Sequence, residues 1–230
     1  MLHFCRQWPF VCTVGYVLKV TSDSGAKPFL PEGGTLQQLQ RAAQQCQGCE
    51  LYRRATQAVL GDGPASACVV LVGEQPGDKE DLAGHPFVGP AGALLDRALD
   101  DAGIARTDVY VTNAVKHFKW EPRGKIRLHK KPNSLEIAAC RPWLEAEIAA
   151  VRPQVIVCLG ATAAQDLLGP KFRLTKHRGE VFPTEHGPVM ATIHPSAILR
   201  MPEPAAKDAE IASLVQDLKA AAEYATARRA

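Results

Sequence analysis

Short, nearly all apolar runs alternate along the chain with longer stretches in which apolar residues recur every three or four positions. Residues 68–72 (CVVLV), 108–112 (DVYVT), 154–158 (QVIVC) and 188–193 (PVMATI) are too short for helices and too evenly apolar for a half-exposed sheet, so they predict strands buried on both faces. Between them lie helical patterns. Thr35 can N-cap a helix with Leu36, Leu39, Ala43 and Cys46 on one face. Pro90 opens another, carrying Leu94, Leu95, Ala98, Leu99 and Ala102 and stopped at Gly103. Asn133 with Glu136 makes a capping-box start for Ile137, Cys140, Leu144 and Ile148. A short helix over 161–168 ends at Gly169-Pro170, and a last one buries Ile211, Leu214, Leu218 and Ala221. Four apolar strands alternating with helices predict an α/β fold whose parallel sheet is covered on both sides. Residues 1–34 hold Gly25, Pro28, Pro31, Gly33 and Gly34 and no sustained period. They read as a loosely ordered N-terminal extension to a single domain over 35–230.

In open parallel sheets the ligand sits beyond the carboxyl ends of the strands. That rule selects residues 73–92, 113–131 and 194–200, the segments richest in polar and unusual residues. Composition adds less: 230 residues with 46% apolar and 22% charged exclude a disordered, collagenous or coiled-coil chain. No apolar run approaches the ~20 residues of a membrane-spanning helix, and no secretion signal is legible, which predicts a cytoplasmic protein. The formal net charge is only +3, yet seven Lys or Arg fall between Lys116 and Lys131 against one acid, Glu121. Such a segment is either a phosphate footprint or a solvated loop.

Seven cysteines without a secretion signal argue against a disulfide framework. Cys46-x-x-Cys49 brings two thiols to one centre, and Cys140 and Cys158 fall on a helix and the strand after it. Four cysteines suit zinc or an iron–sulfur cluster, and spacing does not separate the two. Cys5, Cys12 and Cys68 carry no such pattern. In the loops, Gly73-Glu-Gln-Pro-Gly77 puts Glu74 and Gln75 at a strand end, followed by Asp78. Phe87, in a stiff Pro/Gly loop, is a stacking platform for a flat ligand or a core residue. The Asn113 amide offers one donor and one acceptor side by side, matching an imide edge such as that of uracil. His194-Pro-Ser196 places an imidazole where it could stabilise developing negative charge.

Taken together, Gly73-Glu-Gln-Pro-Gly-Asp-Lys-Glu-Asp81, Pro86-Phe-Val-Gly-Pro-Ala-Gly92, Val111-Thr-Asn-Ala-Val-Lys-His-Phe-Lys119, Cys140-Arg-Pro-Trp143 and His194-Pro-Ser196 resemble the uracil-DNA glycosylase superfamily. The likeness is to its family-4-like iron–sulfur branch, and within it to the UdgX type. It covers residues 46–200 in order. The resemblance implies a three-layer α/β/α sandwich with a central four-stranded parallel sheet. It also implies a 4Fe-4S cluster held by Cys46, Cys49, Cys140 and Cys158. A flipped deoxyuridine would stack on Phe87 and be read by Asn113, with Gln75, Asp78 and Ser196 beside it. His194 would serve the 2-carbonyl, and Glu74 would act beneath C1′.

The loop that marks the UdgX type, K-R-R-I-H, reads Lys125-Ile-Arg-Leu-His129 here. In that type the histidine captures C1′ after uracil leaves, so the resemblance implies self-trapping through His129, with Arg127 in the loop and Glu74 accepting a proton. Conventional turnover and a non-catalytic iron–sulfur module that binds uracil-containing DNA are the alternatives. The expected partner is uracil-containing DNA, preferably single-stranded, met by a monomer with no membrane and no obligate protein partner.

Overall fold

The computed structural model describes residues 25–228. Its main sheet has the order β2 (Val109–Asn113), β1 (Val69–Gly73), β5 (Val155–Leu159), β7 (Gly187–Thr192) and β6 (Val181–Thr184). A separate ribbon pairs β3 (Trp120–Arg123) with β4 (Ile126–His129). The helices are α1 (Leu36–Ala43), α2 (Asp78–Ala83), α3 (Pro90–Asp101), α4 (Ser134–Val151), α5 (Ala161–Leu168), α6 (Leu174–His177), α7 (Pro195–Leu199) and α8 (Pro204–Ala227). Thr35 and Asn133 cap α1 and α4 through capping boxes closed by Gln38 and Glu136. Alternate residues of each strand enter opposite cores. Val69 and Leu71 pack with α3 and α8, while Val70 and Val72 pack with α4 and α5, which makes three layers. Among the described residues no helix is long and apolar enough to cross a membrane.

The sheet has five strands rather than four. β2, β1, β5 and β7 are parallel, and β6 adds to the β7 edge in antiparallel sense. β6 is only partly buried and contains Pro183, a residue an edge strand tolerates, so it lacks the evenly apolar run that marks the other four. The basic segment likewise is not a plain loop. Its middle forms the β3–β4 ribbon, turned by Gly124 at φ 61°. Each arm is four residues long and mostly exposed, so no apolar alternation announces it. At the other end, Ala26 is buried and its N–H donates to the Ala139 carbonyl of α4 at 2.8 Å, so residues 25–34 pack on the domain. Residues 1–24, with Cys5 and Cys12, lie outside the described residues.

Candidate active site

The loops after β1, β2 and β7 enclose a cavity of about 790 Å3, lined by Glu74, Gln75, Phe87, Asn113, His129, His194 and Ser196. Its depth depends on two glycines. A Cβ on Gly73 would lie 2.3 Å from Asn113 Oδ1 and 2.7 Å from Phe87 Cζ, so only glycine lets the amide and the ring approach the end of β1. Phe87 itself has φ 58°, a conformation that costs a bulky residue roughly 1–3 kcal/mol. Gly92 makes room for it, because a Cβ there would overlap the Phe87 carbonyl oxygen. Phe87 is buried against the core and also faces the cavity, with its ring stacked on His194 at 5.8 Å and 29°.

Two imidazoles differ in what they can do. His194 Nδ1 accepts the Ser196 backbone N–H at 3.0 Å, so a neutral ring carries its proton on Nε2 as a donor. Burial, helped by the Arg200 and His129 charges, pushes its pKa down to about 4, which keeps the ring neutral. His129 stands at the mouth with Nε2 3.7 Å from Glu74 Oε1. Burial lowers its pKa as well, with Glu74 opposing. The orientation of Gln75 is fixed, since Oε1 accepts the Lys119 N–H at 3.0 Å and Nε2 donates to the Lys130 carbonyl at 2.9 Å. That Nε2 is also 2.8 Å from His129 Nε2, while its hydrogens face the Lys119 and Lys130 carbonyls at 3.3 Å and 2.9 Å; in the tautomer protonated on Nδ1 the ring nitrogen accepts from Gln75. Glu74 Oε2 accepts from Thr162 Oγ1 at 2.5 Å.

Asp78 and Arg127 stand elsewhere. Arg127 Nε donates to Asp78, its Nη1 donates to the buried Asp81, and its guanidinium lies 5.5 Å and 5.6 Å from the Phe118 and Trp120 ring centroids. The pair therefore clamps the ribbon and does not line the cavity. Ile126, which stands where the UdgX type has arginine, is solvent-exposed and takes no part in the clamp. Of the basic segment, Lys116, Lys119, Arg127 and Lys130 are ion-paired, while Arg123, Lys125 and Lys131 have no ion pair among the described residues. Sequence reasoning missed Thr162 and Arg200, both of which line the cavity. Thr162 follows the carboxyl end of β5, so the strand-end rule could have found it.

The cysteines divide three and one. Cys46, Cys49 and Cys140 gather with Trp143 and Val115 beneath α4. Trp143 Nε1–H donates to Cys46 Sγ and the Lys116 backbone N–H to Cys140 Sγ, each at 3.2 Å, the contacts an iron-bound thiolate accepts. Cys158 instead lies in the other core cluster, between sheet and α5, and its thiol is pushed up by burial and by Asp166. No three His, Cys, Asp or Glu side chains among the described residues are spaced to hold a single metal ion. A four-iron cluster spreads its thiolates wider than one ion does, so the gathering of Cys46, Cys49 and Cys140 is not at odds with one.

This three-layer sandwich, with a cavity at the carboxyl edge of its sheet, fits the family that the comparisons name. The chain belongs to the uracil DNA glycosylase superfamily, whose family description matches residues 60–219. It is 42% identical over 157 residues to a Type-4 uracil-DNA glycosylase of Thermotoga maritima, covering 67% of this chain and 78% of the relative. It is 37% identical over 177 residues to the Type-4 uracil-DNA glycosylase of Archaeoglobus fulgidus, covering 74% and 85%. A Type-5 uracil-DNA glycosylase of Pyrobaculum aerophilum is 31% identical over 154 residues, covering 59% and 64%.

Proposed function

We propose that this protein excises uracil from DNA and stays attached to the abasic sugar through His129. The carrying observation is that one cavity holds an aromatic ring, an imide-matching amide, a neutral imidazole donor, a carboxylate and a second imidazole. A flipped deoxyuridine would stack on Phe87, set its imide edge on Asn113 and its 2-carbonyl on His194 Nε2–H. Single-stranded DNA suits this best, because no pairing must be broken. As the N1–C1′ bond breaks, uracil leaves with both electrons, and the Glu74 carboxylate balances the oxocarbenium charge. The lone pair of His129 Nε2, released from Gln75, then forms the bond to C1′. The resulting imidazolium loses its Nδ1 proton to solvent, and the uracil anion takes one up. In this scheme Nε2 starts without a proton, so Glu74 acts by charge; in the tautomer protonated on Nε2 it accepts that proton, as the resemblance implies. Cys46, Cys49 and Cys140 would hold an iron–sulfur cluster with a bracing role.

Incubation with a uracil-containing single-stranded oligonucleotide, followed by denaturing electrophoresis and mass spectrometry, tests this. Wild type should give a denaturation-resistant adduct on the peptide containing residue 129. His129→Ala should give none while still releasing uracil, whereas His194→Ala should slow release itself. An adduct at wild-type yield in His129→Ala overturns the assignment. A turnover enzyme is the second reading, favoured by the likeness to Type-4 enzymes and by the Gln75 contact that occupies His129 Nε2. Several abasic sites made per protein molecule would establish it.

A further inference from the structure

A second hollow, of about 580 Å3, is bounded by the end of α5, by α6 and by β6. Its lining carries Lys171, Arg173 and Lys176 and no Asp or Glu. Among the described residues these three cations make neither an ion pair nor a side-chain hydrogen bond, whereas the neighbouring Arg178 is held by Glu210 and Asp217. No acid stands between Asp166 and Glu180 in the chain, and Glu180 is turned to His177 Nδ1 at 3.1 Å. Aromatic rings share the lining. Phe172 meets Phe182 edge-on at 5.6 Å and 87°, and the His177 ring lies 5.8 Å from each. Phe172 also packs against the core between sheet and α5, which fixes its place. The hollow adjoins the larger cavity through α6. Leu174, the first residue of that helix, lines the larger cavity, while Lys176 and His177 of the same turn line the hollow.

We propose that this hollow is a second contact for the substrate strand, in which an unpaired base lodges among Phe172, His177 and Phe182 while neighbouring phosphates meet Lys171, Arg173 and Lys176. This rests on the reading of the larger cavity as the uracil site. A helix is roughly 10–12 Å across with its side chains, so a strand needs only a few nucleotides to pass over α6 from one site to the other. Cations that track a backbone, beside rings on which bases stack, hold single strands without regard to sequence. Three cations with no acid among them are the complement of a polyanion. The bases of a duplex are stacked on one another, so only a single strand can use the rings.

The test measures binding of the full chain to strands carrying 2′-fluoro-2′-deoxyuridine, which resists excision, as a trinucleotide and as a long single strand. Wild type should bind the long strand more tightly. Combining Lys171→Ala, Arg173→Ala and Lys176→Ala should remove about tenfold or more of that advantage, and the slope of log affinity against log salt should fall by about 2, at about 0.7 per phosphate contact. Phe182→Leu, which keeps an apolar side chain and removes a ring, should cost the long strand about fivefold or more. A photoreactive 5-iododeoxycytidine, moved stepwise away from the uridine in wild type, should crosslink to the peptide spanning residues 171–184 from one flank only. Equal losses on the trinucleotide and the long strand, an unchanged salt slope, or crosslinks that never reach residues 171–184 overturn the second contact alone. Failure of wild type to prefer the uridine trinucleotide over its thymidine counterpart overturns the uracil-site reading instead.

Discussion

Replacing Arg127 by alanine isolates the clamp that holds His129 at the cavity mouth. Arg127 sits two residues before His129 on β4, and its charge is shared by Asp78 at the surface and by Asp81, whose side chain is 0% exposed. Removing one partner of a buried pair costs about 3–5 kcal/mol. Asp81 would keep the Thr56 N–H at 2.9 Å and the Thr56 hydroxyl at 2.6 Å, which favours the lower end, about 3 kcal/mol. The exposed Asp78 contact adds at most about 1 kcal/mol, and loss of the stacking over Phe118 and Trp120 about 1 more. The ribbon contributes no strand to the main sheet, and a lone two-stranded ribbon is marginal in water, so much of this loss should appear as ribbon opening. If about half of this ~5 kcal/mol loss appears as ribbon opening, then at about 1.4 kcal/mol per tenfold adduct formation should slow by roughly 100-fold. Phe87, Asn113, Glu74 and His194 stand off the ribbon, so uracil release should change only a few-fold. Single-turnover time courses read on denaturing gels, beside uracil release on the same samples, measure both. Wild-type trapping in Arg127→Ala, or release falling in step with trapping, would refute the reasoning.

Thr162→Val keeps the shape but removes the hydroxyl that Glu74 Oε2 accepts, and a hydrogen bond to a charged group is worth roughly 1.5–3 kcal/mol. Uracil release should therefore slow by about tenfold or more, with the adducts formed per excision unchanged, as quantified from the same gels. Gly73→Ala should lower stability in urea by about 1–3 kcal/mol and weaken binding of uracil-containing oligonucleotides, since its methyl would press on Asn113 and Phe87. Ile126→Arg should leave trapping unchanged, because the side chain is 67% exposed. His194 ionises less readily folded than unfolded, so the unfolded chain binds its proton first as pH falls. Its contribution is complete above the ordinary imidazole value of about 6.5 and is lost down to about pH 4, a loss of roughly 3 kcal/mol measurable by denaturant titration across that range.

Strands buried on both faces were legible because period and burial coincide in them. Residues 68–72, 108–112, 154–158 and 188–193 each fall within one residue of an observed strand. β6 and the ribbon were not legible, because an edge strand with a proline and a ribbon held by charges and ring faces leave no apolar pattern. The strand-end rule selected Glu74, Asn113 and His194, which the structure brings to one cavity. It did not reveal that Gln75 would meet His129 Nε2, since that depends on the carbonyl of Lys130 and the amide of Lys119 closing around one glutamine. Cys158 shows the limit of counting: a cysteine at a suitable spacing points into whichever core its strand position dictates.

The short stretch from Asn113 to Lys116 serves several tasks at once. Asn113 faces the cavity, its carbonyl accepts from Lys116 Nζ, that ammonium neutralises the buried Glu147, and the Lys116 amide rests on Cys140 sulfur. Glu147 in turn ties in Tyr110, Thr112 and the Gly61 amide. On the proposed reading, injury to the sulfur end of this stretch, by oxidants or chelators, would thus register as blurred discrimination between uracil and other bases well before the chain came apart.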